Sequence, residues 1–201
     1  MIAIDVDTVR AAFARDSARA KAEAQAEAQA EAGGVAAVAA VLRQTTSGAE
    51  LLLIERAQRE GDPWSGHMAL PGGRRDPGDA TLLDTAMRET REEIGLDLEV
   101  HADLVGRLAD VEIVPRGERA RGWIRPFVFV LRSGEVELYP SPAEVEAVLW
   151  ARLSTIHGGE VDTTIDWSRD GQSMTFPGWK IEGRTVWGLT YRMMRSLFEL
   201  L

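Results

Sequence analysis

One stretch of this 201-residue chain limits the folds open to it: PGGRRDPGDATLLDTAMRETREEIGLD, from Pro71 to Asp97. It opens on a glycine pair and closes on Glu89, Glu92 and Glu93, three like charges within five residues, just before Gly95. Asp79 to Ile94 is predicted to be a helix, with Asp79 as its N-cap and Gly95 as its stop. At roughly 100° per residue, the three glutamates fall within an arc of about 100°, because spacings of three and four share a face. Leu83, Ala86, Met87, Thr90 and Ile94 fall on the neighbouring face, which must be covered by a sheet. The carboxylates then sit at the edge of the buried face, with Arg91 on the far side.

The flanking sequence supplies such a sheet. VAAVAAVL (35–42) and ELLLIERA (50–57) are apolar runs joined by the turn-like RQTTSGA, a hairpin or meander pattern. HMAL before Pro71, LEVHADLVGRL after Gly95, WIRPFVFVL and AVLWARL also read as strands, and STIHGG as a helical turn. Trp167–Phe176 and Trp179–Ile181 read as a second hairpin pair. TVWGLTYRMMRSLFELL, with Val186, Leu189, Met193, Leu197 and Leu200 at helical spacing, reads as a closing helix. Strands with one central and one C-terminal helix predict an α+β fold, a mixed β-sheet sandwiched between helices.

Residues 1–34 read as an N-terminal helical extension and 35–201 as the main domain. Thr8 to Ala32, with its near-repeat AEAQAEAQAEA, is built from strong helix formers and ends at Gly33-Gly34. Its apolar stripe is almost all alanine and buries little. It is open to three readings: packing on a partner subunit as a homodimer contact, lying on the domain, or standing solvated.

The net charge of −9 opposes sequence-independent nucleic-acid binding, which needs a positive surface. The absence of cysteine excludes disulfides and thiolate metal sites. No apolar run is long enough to span a membrane, and no secretory signal is visible, so a cytoplasmic location is the expectation. A protein this acidic that binds an anion must recruit cations.

Three carboxylates on one helical edge either raise one another's pKa or gather cations. Hard ions such as Mg²⁺ or Mn²⁺ take oxygen ligands and leave positions for water and phosphate. The plainer reading is a solvated acidic face paired with Arg88 and Arg91. The context favours a metal site: Gly72 and Gly73 let backbone approach without a side chain in the way, and Arg88 can reach back into the loop.

This stretch resembles the Nudix box, G-x5-E-x7-R-E-U-x-E-E-x-G-U with U a bulky aliphatic. Gly73, Arg88, Glu89, Glu92, Glu93, Gly95 and Leu96 match it. Asp79 stands at the first Glu, one extra residue lies between it and Arg88, and Thr90 replaces the aliphatic residue. The resemblance implies a Nudix-type fold and hydrolysis of a nucleoside diphosphate linked to another group. It implies Glu92 and Glu93 as metal ligands, with Glu89 sharing that role or orienting water, and the Gly72 and Gly73 carbonyls adding ligands or positioning the loop. Arg88, Glu89 and Glu92 would form the catalytic set. A later-loop base is sought in Glu144 or Glu146 of SPAEVEAVLW, whose alternative reading is surface charge.

Upstream, LLLIERA…GHMALPGG resembles the signature of coenzyme A diphosphatases, LLTxR(S/A)-x3-R-x3-G-x3-FPGG, through Leu52, Leu53, Arg56, Ala57, Gly66, Pro71, Gly72 and Gly73. RDPGDA and the C-terminal VWGLT are also like that subgroup. The signature's second Arg position is Asp62, and Leu70 replaces its Phe. The implied substrate is coenzyme A or an acyl derivative, cleaved to 3′,5′-ADP and phosphopantetheine. The alternatives are a diphosphatase for a dinucleotide, nucleotide sugar or nucleoside triphosphate, and a non-catalytic nucleotide sensor. Arg56, Arg74 and Arg75 are candidate substrate-binding cations, with Arg59 a substitute for the missing arginine. Trp64 and Trp123 are candidates to stack on a base, whereas Trp150, Trp179 and Trp187 read as core.

Overall fold

The computed structural model describes residues 4–15, 34–62, 64–113, 122–169 and 172–201. Strands β1 (Gly34–Thr45) and β2 (Gly48–Arg56) form the expected hairpin, with Leu42 opposite Leu51 and Thr45 opposite Gly48. Around them an eight-stranded mixed sheet assembles. β3 (Met68–Ala69) and β8 (Val145–Arg152) pair with β2, and β4 (Gly72–Arg74) pairs with β1. β5 (Ala102–Arg107) and β6 (Val111–Ile113) pair with β7 (Gly122–Leu131), which runs parallel to β1.

β1 is central, so both its faces are covered, and its run of Val and Ala is unbroken for that reason. Side chains alternate across a strand. Ala37, Ala39, Val41, Leu52 and Ile54 meet Leu82, Ala86 and Ile94 of helix α2 (Leu82–Ile94) on one face. Val38, Ala40, Leu42, Leu51 and Leu53 face the opposite layer, shared with α4 (Leu153–His157) and α5 (Gly188–Phe198). The sheet is therefore sandwiched between helices, as the apolar pattern requires. A separate three-stranded sheet of β9 (Asp162–Arg169), β10 (Gln172–Ile181) and β11 (Arg184–Trp187) adds Trp179, Ile181 and Val186 to the α5 layer.

Three local expectations are corrected, and the start of the N-terminal segment is placed. Helix α2 starts at Leu82, because Thr81 and Asp84 form a reciprocal capping box there; Asp79 is not the cap. LEVH is a short helix, α3 (Leu98–His101), since the Asp97 side chain accepts the Glu99 and Val100 N–H groups and starts a turn. Val186 belongs to β11, opposite Trp179, and the closing helix begins only at Gly188, whose φ is +66°. At the N-terminus, α1 (Val6–Arg15) lies on the domain. Val9 and Ala12 are buried, Phe13 packs at Gly106, and Arg10 donates to Asp103 at 2.8 Å. The AEAQAEAQAEA repeat lies outside the described residues.

Candidate active site

The site begins where β4 crosses β1. Gly72 has φ +145°, and a Cβ there would lie 2.3 Å from the Ala37 carbonyl oxygen and 2.5 Å from the Val38 Cα, so only glycine fits. The Gly72 N–H, held in that crossing, donates to Glu93 Oε2 at 2.8 Å. A Cβ on Gly73 would lie 2.5 Å from the Glu89 carboxylate. The glycine pair thus brings main chain directly against two of the three glutamates.

Arg88 ties this strand to the helix. Its Nε and Nη2 donate to the two Asp79 oxygens at 2.9 and 3.0 Å, and Nη2 also donates to the Arg74 carbonyl at 3.1 Å. Nη1 lies 2.9 Å from both Glu89 Oε1 and Glu92 Oε2. Asp79 is buried and further accepts from Asp76 N–H and Thr85 Oγ1. Its pairing with Arg88 holds the carboxyl well below the usual carboxylate range, and the same bond keeps Arg88 protonated.

The three glutamates differ sharply. Glu93 is only 3% exposed, while the Glu92 side chain is 52% exposed and Glu89 lies between them. Burial pushes Glu93 up to about 8, against the partial relief of the Gly72 N–H, with Glu89 and Glu144 adding like charge. Burial also raises Glu89, and its contact with Arg88 does not offset this.

Among the described residues, no three His, Asp or Glu side chains already converge as a metal cage. Arg88 draws Glu89 and Glu92, and Gly72 draws Glu93. The donor set nevertheless fits a hard divalent ion. One buried and one half-buried carboxyl group, both raised by desolvation, are short of positive charge, and a glycine leaves Glu89 open where any Cβ would fill the space.

Of the other candidates, Glu144 lies close enough to act on both Glu89 and Glu93, and Arg56 close enough to lower Glu93. Glu146 is exposed and acts instead on Arg184, which pairs with Glu55 at 2.7 Å. Arg75 is turned onto its own loop, donating to the Asp79 and Ala80 carbonyls, so it clamps the loop. The Arg74 side chain is exposed, and its carbonyl is the part engaged. Arg59 is no free substitute cation: it donates to Ala143 O and to Glu144 Oε1, both at 2.8 Å.

Trp179 is core, whereas Trp150 is half-buried under the Arg43 guanidinium, 4.2 Å from its ring centroid. Trp187 is half-buried beside His67, which also meets Trp64 edge-on, and Trp123 is 43% exposed on β7. A cavity of about 140 Å³ between Ile156, Asp162, Trp179 and Arg195 belongs to the opposite layer and is lined by none of Glu89, Glu92 and Glu93.

Arg88 reaches back into the loop as its sequence position predicts, but three pairings escape sequence reasoning: Asp79 as the partner of Arg88, the Arg59–Glu144 bridge and the Arg56–Asp62 pair. The oppositely charged spacing of Asp79 and Arg88 was visible, but a helix cap was the more local reading. Nothing in the sequence links Arg59 to a residue 85 positions away.

A strand–loop–helix unit with an arginine hub and buried carboxylates beside a glycine pair is the local architecture of one family. The NUDIX domain model matches residues 34–170, and the chain belongs to that family. It is 29% identical over 148 residues to a Nudix hydrolase named NudL, itself uncharacterized, of Photorhabdus laumondii, covering 74% of this chain and 75% of that one. It is 47% identical over 122 residues to an uncharacterized Schizosaccharomyces pombe protein, covering 60% of this chain but only 37% of the yeast protein. Among solved structures it shares its fold with the Mycobacterium smegmatis (M. Smegmatis) Nudix hydrolase RenU, at TM-score 0.51 and 21% identity over 62% of this chain and 74% of that one. A Caenorhabditis elegans (C. elegans) Ap4A hydrolase aligns at TM-score 0.50 and 20% identity over 61% and 82%. None of the described helices is long and apolar enough to cross a membrane.

Proposed function

We propose that this chain is a divalent-cation-dependent diphosphatase, hydrolysing the diphosphate of a nucleoside diphosphate linked to a second group. The observation that carries the reading is Glu93, a buried carboxyl raised to about 8 and set beside Glu89 behind two glycines that bring backbone to the same point. Mg²⁺ or Mn²⁺ bound there would neutralise the diphosphate and lower the pKa of a bound water. Glu89, Glu92 and Glu93 are the side chains that would hold it. Arg88 positions Glu89 and Glu92 and fixes the loop through Asp79 and Arg74. Glu144, a later-loop carboxylate whose charge acts on both Glu89 and Glu93, would serve as the general base.

Coenzyme A and its acyl derivatives carry such a linkage and are favoured by the upstream signature; dinucleotides and nucleotide sugars carry it too. Incubation of the purified chain with Mg²⁺ and coenzyme A, NADH, ADP-ribose and nucleoside triphosphates tests the activity. Cleavage at the diphosphate, abolished in Glu92→Gln with the fold intact, is the expected result. Nucleotide binding without cleavage of any of them would make the chain a sensor instead.

A further inference from the structure

The guanidinium groups of the loop joining β2 to β3 already face carboxylates. Arg56 Nη2 donates to Asp62 Oδ2 at 2.8 Å, and Asp62 Oδ1 accepts the Trp64 N–H at 3.0 Å, which fixes the carboxylate's orientation. Arg59 is held by Ala143 O and Glu144. Arg56 lies opposite Val145, the next residue's N–H donates to the Glu144 carbonyl at 2.9 Å, and the Arg56 charge acts on Glu93. Its Nε is buried with no partner, so the group keeps a donor while its charge is balanced by Asp62.

The chemistry of that balance distinguishes two ligands. A ribose hydroxyl donates to a carboxylate, whereas a ribose phosphate requires an arginine; dinucleotide sites elsewhere use this exchange to tell the two apart. A phosphomonoester brings about −1.5 to −2 charges at neutral pH. Brought to this loop, it would meet an arginine already neutralised and a carboxylate of its own sign, among Glu89, Glu93 and Glu144.

Resting on the diphosphatase reading above, we propose that Asp62 is a specificity-determining residue. Its pairing with Arg56 selects nucleoside diphosphate derivatives with a free ribose hydroxyl over those bearing an additional ribose phosphate. Dephospho-coenzyme A is then preferred to coenzyme A, and NADH to NADPH. The position that reads as arginine in the coenzyme A diphosphatase signature is, in this chain, a carboxylate that would repel the extra phosphate.

The test compares kcat/KM, with Mg²⁺, for coenzyme A against dephospho-coenzyme A and for NADPH against NADH. In parallel, calorimetry compares the Kd of 3′,5′-ADP with that of 5′-AMP, a readout independent of turnover. The unphosphorylated member of each pair is expected to be favoured by roughly tenfold, as a juxtaposed like charge implies. In Asp62→Asn, which keeps the Oδ1 that accepts from Trp64, the ratio should fall toward one; in Asp62→Arg it should reverse. A wild-type preference for the phosphorylated member, or a ratio unaltered in Asp62→Asn, overturns the proposal. The expected binding ratio with no cleavage of any substrate overturns the diphosphatase reading alone; neither cleavage nor nucleotide binding overturns both.

Discussion

Arg88 and Asp79 form a two-pronged ion pair, Nε to Oδ1 at 2.9 Å and Nη2 to Oδ2 at 3.0 Å, that fastens the glutamate-bearing helix to the loop leading into it. Asp79 is nine residues before Arg88 and outside the helix, so the pair is tertiary in character although short in sequence. Two of the three clustered glutamates are held through it, while Glu93 is held by the Gly72 N–H. The remaining nitrogen of the same guanidinium holds Glu89 and Glu92.

Without Asp79, Arg88 keeps Glu89 and Glu92 as counter-charges but loses two charge-assisted hydrogen bonds. Asp79→Ala should therefore cost about 2 kcal/mol, the scale of hydrogen bonds to a charged group, read as a lower urea midpoint. The pH dependence has a definite sign. Asp79 is held below its ordinary value of 3.8, so its contribution is complete above that value and is lost as pH falls from it toward the folded one. Asp79→Asn should accordingly unfold with a flatter acid limb below pH 4 than the parent; an unchanged limb would refute the assignment.

Glu93 has the opposite sign. Its folded value of about 8 lies above the ordinary 4.5, so with no metal bound its contribution to stability is complete below 4.5 and is lost as pH rises through 8. A divalent ion must displace that proton. Calorimetry in buffers of different ionisation enthalpy should show proton release on Mg²⁺ binding between pH 5 and 8, and no such release in Glu93→Gln.

The two glycines should fail differently when changed to alanine. At Gly72 the new Cβ would strike the Ala37 carbonyl in a backbone conformation that L side chains rarely adopt, so Gly72→Ala should lose about 3 kcal/mol or more of stability. At Gly73 the obstacle is the end of the Glu89 side chain, which can move. Gly73→Ala should keep its melting temperature within a few degrees and lose most of its turnover. Equal unfolding of both variants would contradict this division.

Glu144 and Glu146 separate as bases by position. Glu144→Gln should lower kcat on the order of 10²-fold with little change in KM, the usual scale for loss of a general base. Glu146→Gln, altered on the side facing Arg184, should behave like the parent. Similar kcat values for the two variants would remove Glu144 from the base role.

The sequence by itself determined the helix and its faces. The 3.6-residue period, Gly95 as the stop and the clustered glutamates are local properties, and the structure has Gly95 left-handed with its N–H on the Arg91 carbonyl. The alternation and length of the apolar runs likewise determined a sheet covered on both sides. Capping was less legible, because Asp79 and Thr81 are both competent caps and the choice turned on Asp84 completing a reciprocal pair.

Only the tertiary structure decided which charges meet. β2 lies beside β8, with Arg56 opposite Val145, and that pairing carries Glu144 toward Glu89 and Glu93 and Arg59 to Glu144 across 85 residues. The closed loop between β2 and β3 sets Asp62 on Arg56. Burial then gave three chemically identical glutamates three different environments. A residue's period along the chain reports which way it points, whereas its partner and its desolvation depend on which distant strand lands beside it.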